Sequence, residues 1–132
     1  MKIVLANGCY DILHAGHVQH LKQARSMGDR LIVALTLDEF VNKGPGRPIN
    51  KWHARAEVLR ELRCVDEVIP TVGACSAIQA IRPTYFVKGI DYADGDRWTE
   101  AIEKTCEEVG TVLRFTDTPK QSVTEIIRKA LA

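Results

Sequence analysis

The stretch Asn7-Gly8-Cys9-Tyr10-Asp11-Ile12-Leu13-His14-Ala15-Gly16-His17 follows the apolar run Ile3-Val4-Leu5 and opens an amphipathic run from Val18 onward. That order reads as a strand, a tight glycine turn and a helix. Two histidines flank a glycine where the helix begins. A helix N-terminus presents unpaired backbone N–H groups and a partial positive charge, so it suits phosphate. Imidazoles placed there add donors to the same anion. Gly16 either lets a ligand approach the backbone closely or simply permits the turn. Residue types alone leave three readings open. The pair serves phosphate, or it is a surface pair near a helix start, or His17 and His20 share a helix face for a metal. No carboxylate or cysteine lies at a spacing that would complete a metal site.

Outward from this turn, short β-rich apolar runs alternate with helical patterns. Strands are expected over residues 2–6, 30–36, 65–71, 84–88 and 111–115, and helices over 15–27, 52–63, 76–81, 98–109 and from Val123. Val18, Leu21 and Ala24 share one helix face, as do Ala56, Leu59 and Leu62, and Val123, Ile126, Ile127, Ala130 and Leu131 form a last stripe. Gly28 closes the first helix, and the Gly/Pro-rich residues 43–50 form a loop. Such alternation predicts one α/β domain over residues 1–132, a parallel five-stranded sheet covered by helices on both faces. The expected strand order is 3-2-1-4-5. Ligands then sit beyond the carboxyl ends of the strands where that order reverses, which singles out residues 7–17 and 89–96.

The composition sets bounds. The 132 residues are 45% apolar and 27% charged, with a formal net charge of +1. No basic run exists, which excludes a broad nucleic-acid-binding face and leaves small phosphorylated ligands open. Cys9, Cys64, Cys75 and Cys106 match no zinc spacing and read as reduced thiols. No apolar stretch approaches the roughly 20 residues of a membrane span. The chain enters a strand without a signal-like segment, so a cytoplasmic location is expected, away from membranes.

The segment 8–17 closely resembles the signature of the cytidylyltransferase-type nucleotidyltransferases, a glycine-aromatic-aspartate turn followed by His-x-Gly-His. The resemblance continues through Leu31-Ile32-Val33-Ala34-Leu35, Gly46-Arg47-Pro48-Ile49, Arg63-Cys64-Val65-Asp66-Glu67-Val68-Ile69 and Lys88-Gly89-Ile90-Asp91-Tyr92. It closes with Ser122-Val123-Thr124-Glu125-Ile126-Ile127, which also fits a Ser-x-x-Glu capping box. The resemblance implies a Rossmann-like fold and nucleotidyl transfer. A phosphorylated small-molecule acceptor attacks the α-phosphorus of a nucleoside triphosphate, and pyrophosphate leaves. The acceptor phosphate is already a nucleophile, so positioning and charge stabilisation dominate.

The resemblance also implies roles for individual residues. His14 and His17 donate to the triphosphate, and Lys43, in the Gly/Pro-rich loop, contacts phosphate and closes over the substrate. Arg47 is an alternative for that role. Asn7, Gly8, Cys9, Tyr10, Gly16, Lys88, Gly89, Asp91, Ser122 and Thr124 face the nucleotide, and Asp11 and Arg55 face the acceptor. Mg²⁺ bridges the phosphates with few protein ligands, no organic cofactor is needed, and the segment from Arg63 through Asp66 suggests a homodimer. Each has a plainer counterpart: a solvated loop lysine, a surface ion pair, a β-turn aspartate, a helix–strand junction. Two branches of the family compete. Asn7–His17, Arg47-Pro48-Ile49-Asn50, Cys64-Val65-Asp66 and Lys88–Tyr92 resemble the heptose-phosphate adenylyltransferases. Leu31–Leu35 with Asp38-Glu39-Phe40, and Arg63–Ile69, resemble the glycerol-3-phosphate cytidylyltransferases. Asp117-Thr118-Pro119-Lys120 lacks the arginine expected of the second branch. A reading from another class is a non-catalytic nucleotide-binding regulatory module. The histidines belong to no apolar stripe, so their replacement is expected to spare stability.

Overall fold

The strands that carry the site are apolar on both faces, and each face has its own helices. The computed structural model describes residues 1–89, 97–118 and 123–132, and for Arg97 and Trp98 the backbone only. Five strands form one parallel sheet: β1 (Ile3–Gly8), β2 (Arg30–Thr36), β3 (Glu67–Thr71), β4 (Tyr85–Gly89) and β5 (Val112–Thr116). Their order is β3-β2-β1-β4-β5, as expected from the alternation of elements. Among the described residues, five helices connect or follow them: α1 (Ala15–Ser26), α2 (Trp52–Arg60), α3 (Ala74–Ile81), α4 (Arg97–Val109) and α5 (Val123–Leu131).

Alternation along each buried strand sorts the core into two layers. Val4 and Ala6 of β1 and Leu31, Val33 and Leu35 of β2 pack with Leu21 and Ala24 of α1 and Ala56 and Leu59 of α2. Leu5, Ile32 and Ala34 point the other way, onto Ala77 and Ile78 of α3 and Ile102 and Cys106 of α4. Edge strand β3 contains Pro70, a residue tolerated there because one side of the strand needs no ladder partner.

Several boundaries differ from the sequence expectation for physical reasons. β1 runs two residues further, to Gly8, because it pairs with β2 as far as Gly8–Leu35. α2 stops at Arg60, where the Leu62 N–H turns onto the Leu59 carbonyl and that of Val65 onto Leu62. A 3₁₀ turn, Asp38–Phe40, follows β2. Gly28 acts through close packing rather than as a left-handed cap. A Cβ there would lie 2.8 Å from the Lys2 carbonyl oxygen and 2.7 Å from Val4 Cγ2. The stripe on α5 is not buried within the chain, and Leu131 is 82% exposed.

Candidate active site

The carboxyl ends of β1 and β4 lie side by side at the point where strand order reverses. Ala6 pairs with Val87, and Gly8 and Gly89 each lie two residues further along. Chain leaving β1 enters the glycine turn, whose geometry is set by Tyr10. Its backbone is left-handed, with φ 45°. Its ring is buried and folds back over Gly8, where a Cβ would lie only 2.8 Å from Tyr10 Cε2. Gly8 is therefore required for the space it leaves.

The two histidines build the start of α1. His14 is the N-cap residue, and its Nδ1 accepts the Gly16 N–H at 3.1 Å. His17 Nδ1 accepts the His14 N–H at 3.3 Å. Two N–H groups at the helix start are thus satisfied reciprocally, as in a capping box. With Nδ1 accepting, each neutral imidazole carries its proton on Nε2, which becomes the donor atom. The rings stack with centroids 3.8 Å apart, and the Tyr10 ring meets His17 edge-on at 5.2 Å. Burial lowers the His17 pKa to about 4, helped by the neighbouring charges of His14, His20 and Lys43. The histidines also cap the helix, which corrects the expectation that they are neutral to stability.

Asp11 and Arg55 are held by the protein itself. The Asp11 carboxylate accepts from Arg47 Nε at 3.0 Å, Ile49 N at 2.8 Å and Asn50 N at 2.8 Å. Asn50 Nδ2 returns a bond to the Asp11 carbonyl. These bonds hold the Asp11 pKa below the ordinary carboxylate range, against the opposing effect of burial. Arg55 has a side chain wholly excluded from solvent and donates to the carbonyls of Asn50 and Cys9 and to Asp38 Oδ1. The two residues brace the glycine turn, the 3₁₀ turn, the loop and α2 against one another. They also line a pocket of ≈ 300 Å³ together with Ile12, Leu13, Asn50 and Val58.

The other expected residues occupy varied positions. The Asn7 side-chain amide donates to the Ala34 carbonyl and Thr36 Oγ1, toward β2. Cys9 and Gly16 lie in the turn and the first turn of α1, and Lys88 and Gly89 end β4. Lys43 is exposed in the loop, close enough for its charge to bear on His17. Thr124 is exposed at the start of α5, whereas Asp91 and Ser122 lie outside the described residues. Asp66 accepts from the Leu31 N–H and pairs with Arg25 within the chain. Among the described residues no group of three or more His, Cys, Asp or Glu could hold a metal ion. No helix among them is long and apolar enough to cross a membrane.

Sequence reasoning missed three features: the clamp of Asp11 on residues 47–50, the Arg55–Asp38 pair, and His20 Nδ1 at 2.7 Å from the buried Thr116 Oγ1. Each joins residues too far apart for any local spacing to reveal.

Residues 5–129 match the model of the cytidylyltransferase-like family. The bifunctional protein HldE of Pseudomonas fluorescens is 53% identical over 96 residues, covering 70% of this chain and 20% of that protein. HldE of Vibrio cholerae is 50% identical over 99 residues, covering 72% and 21%. The chain spans about a fifth of the length of these curated relatives. Among solved structures, a lipopolysaccharide core biosynthesis protein from Thermoplasma volcanium superposes with a TM-score of 0.76 at 26% identity, covering 91% of this chain and 99% of that one. A pantoate-beta-alanine ligase from Francisella tularensis shares the fold alone, at TM-score 0.66, 16% identity and coverage of 91% and 60%. Matched over nearly its whole length, and with the expected sheet order and a histidine pair opening α1, the chain belongs to the cytidylyltransferase-like family.

Proposed function

We propose that the protein is a nucleotidyltransferase that moves a nucleoside monophosphate from ATP to a phosphorylated sugar and releases pyrophosphate, as heptose-phosphate adenylyltransferases do. The observation that carries this reading is the stacked histidine pair at the head of α1. Both Nδ1 atoms are engaged by backbone N–H groups, which puts the proton of each neutral ring on Nε2 beside a helix N-terminus. Donors already in place cost no reorganisation when charge builds on the transferring phosphoryl group. An acceptor phosphate oxygen attacks the α-phosphorus, and the bond to the β-phosphate breaks. His14 and His17 donate to phosphate oxygens, and Lys43 adds charge from the loop.

The turn from Asn7 through Tyr10 and the β4 end at Lys88 and Gly89 flank the nucleotide, with Asp91, Ser122 and Thr124 completing its surroundings. We place the acceptor's carbon skeleton in the pocket beside Ile12 and Leu13, whose wall Asp11 and Arg55 shape. The Asp11 carboxylate is already engaged by protein N–H groups, so Mg²⁺ would arrive on the triphosphate rather than in a carboxylate cage. The HldE relatives and the Lys88–Tyr92 resemblance favour ATP over CTP. A cytoplasmic homodimer joined through the segment from Arg63 through Asp66 is the assembly the resemblance implies, and light scattering reads it.

Pyrophosphate release is to be measured with ATP, CTP and GTP against sugar 1-phosphates and glycerol 3-phosphate. Release with ATP and a sugar phosphate is expected. Release only with CTP and glycerol 3-phosphate would move the protein to the other branch. Tight nucleotide binding with no release across the panel would make it a regulatory module.

A further inference from the structure

We infer that Tyr10 is a positioning residue: its ring holds the His17 imidazole in the orientation that keeps Nδ1 on the His14 N–H and Nε2–H free to donate. Tyr10 adopts a left-handed backbone at φ 45°, which residues with a side chain seldom take and which persists only where the surroundings enforce it. That backbone turns the ring back over Gly8, where an added Cβ would lie 2.8 Å from Cε2 and 2.9 Å from Cζ. Tyr10 is 7% exposed, and its ring meets His17 edge-on at 5.2 Å with an interplanar angle of 72°. His14 stacks on His17 at 3.8 Å. His17 is therefore bracketed by Tyr10 and His14, with its Nδ1 tied to the backbone.

Tyr10 also belongs to the hydrophobic core on the α1 and α2 side of the sheet, so plain packing is the competing account. The two accounts differ in what moves when the ring is removed. A packing role changes stability. A positioning role changes the tautomer of His17, because an imidazole free to rotate no longer offers Nδ1 as a fixed acceptor. The contacts to Gly8 and His17 are made by the ring, and phenylalanine keeps them.

The test uses the full chain labelled with ¹⁵N-histidine, and reads long-range ¹⁵N–¹H correlations without substrate. Wild type and Tyr10→Phe should show His17 as a single Nε2–H tautomer, and Tyr10→Leu should show averaging between tautomers. Gly8→Ala pushes on the same ring from its other side and should give the same averaging, which keeps the test open if Tyr10→Leu fails to fold. This arm is independent of any activity. The kinetic arm rests on the proposed nucleotidyl transfer: Tyr10→Leu should lower kcat about 10²-fold, as small misplacements of catalytic groups do, with little change in the triphosphate KM. A folded Tyr10→Leu that keeps the single tautomer, or a Tyr10→Phe that behaves like Tyr10→Leu, would overturn the inference.

Discussion

Replacing Arg55 by methionine separates a brace from a direct acceptor contact. Methionine keeps most of the stem, so the cavity left behind is small. What is lost is the guanidinium, which donates to the Cys9 and Asn50 carbonyls and to Asp38. Each carbonyl deprived of its donor costs about 1–2 kcal/mol. Asp38 is 29% exposed and recovers water, so it adds little. The sum is about 2–4 kcal/mol, a large share of the roughly 5–15 kcal/mol that holds a domain folded. For 132 residues the unfolding entropy is about 0.28 kcal/mol/K, which converts this loss into a fall in Tm of about 7–14 °C. The Cys9 carbonyl belongs to the glycine turn and the Asn50 carbonyl to the entry of α2. Loosening both should raise KM for nucleotide and acceptor together. Thermal melts followed by circular dichroism, with pyrophosphate-release kinetics on the same samples, provide the assay. A variant that melts with wild type while only the acceptor KM rises would refute the bracing argument and place the guanidinium on the acceptor.

His14→Ala should lower kcat about 10²–10³-fold, the usual loss for one donor to developing charge. It should also cost about 1 kcal/mol of stability through the lost cap, read by urea denaturation. A variant of normal kcat and reduced stability would leave His14 with the cap alone. Lys43→Ala should raise the triphosphate KM and leave Tm unchanged, because the residue is exposed; unchanged kinetics would remove it from the site. The pH dependence follows from His17, which titrates near 4 when folded against 6.5 when unfolded. Between those values the unfolded chain binds more protons, so this contribution is full above pH 6.5 and fades as pH falls toward 4. Urea melts at about pH 7.5 and about pH 5 should show the loss, and His17→Gln should shrink it. An unaltered difference in that variant would assign the effect to other groups.

Much of the site is written locally. The signal for α1 and its histidines lies within a few consecutive residues, where a glycine turn, a polar start and an apolar stripe follow one another. β2 is legible at both ends because an unbroken apolar run is what a strand covered on both faces needs. Tyr10 was harder to read. The resemblance implied that it faces the nucleotide, while its left-handed φ and the ring over Gly8 come from how the turn folds onto α1. For Arg55 the resemblance implied an acceptor contact and the plainer reading a surface ion pair; its burial against two carbonyls was not legible, because helical periodicity does not show which polar position is pulled inward by carbonyls elsewhere.

The sequence by itself determined the order of strands and helices, the two-sided burial of the sheet, the 3-2-1-4-5 arrangement and the histidine pair at the head of α1. These depend on periodicity and turn chemistry over a few residues, and on the right-handed crossovers that parallel strands adopt. Only the tertiary structure decided which polar groups meet. Asp11 and Asn50 are 39 residues apart, Cys9 and Arg55 46, and His20 and Thr116 96. No local pattern encodes such pairs. They form because the sheet brings the carboxyl ends of its strands to one edge, and because a carboxylate or guanidinium buried there must find partners or pay for its lost water.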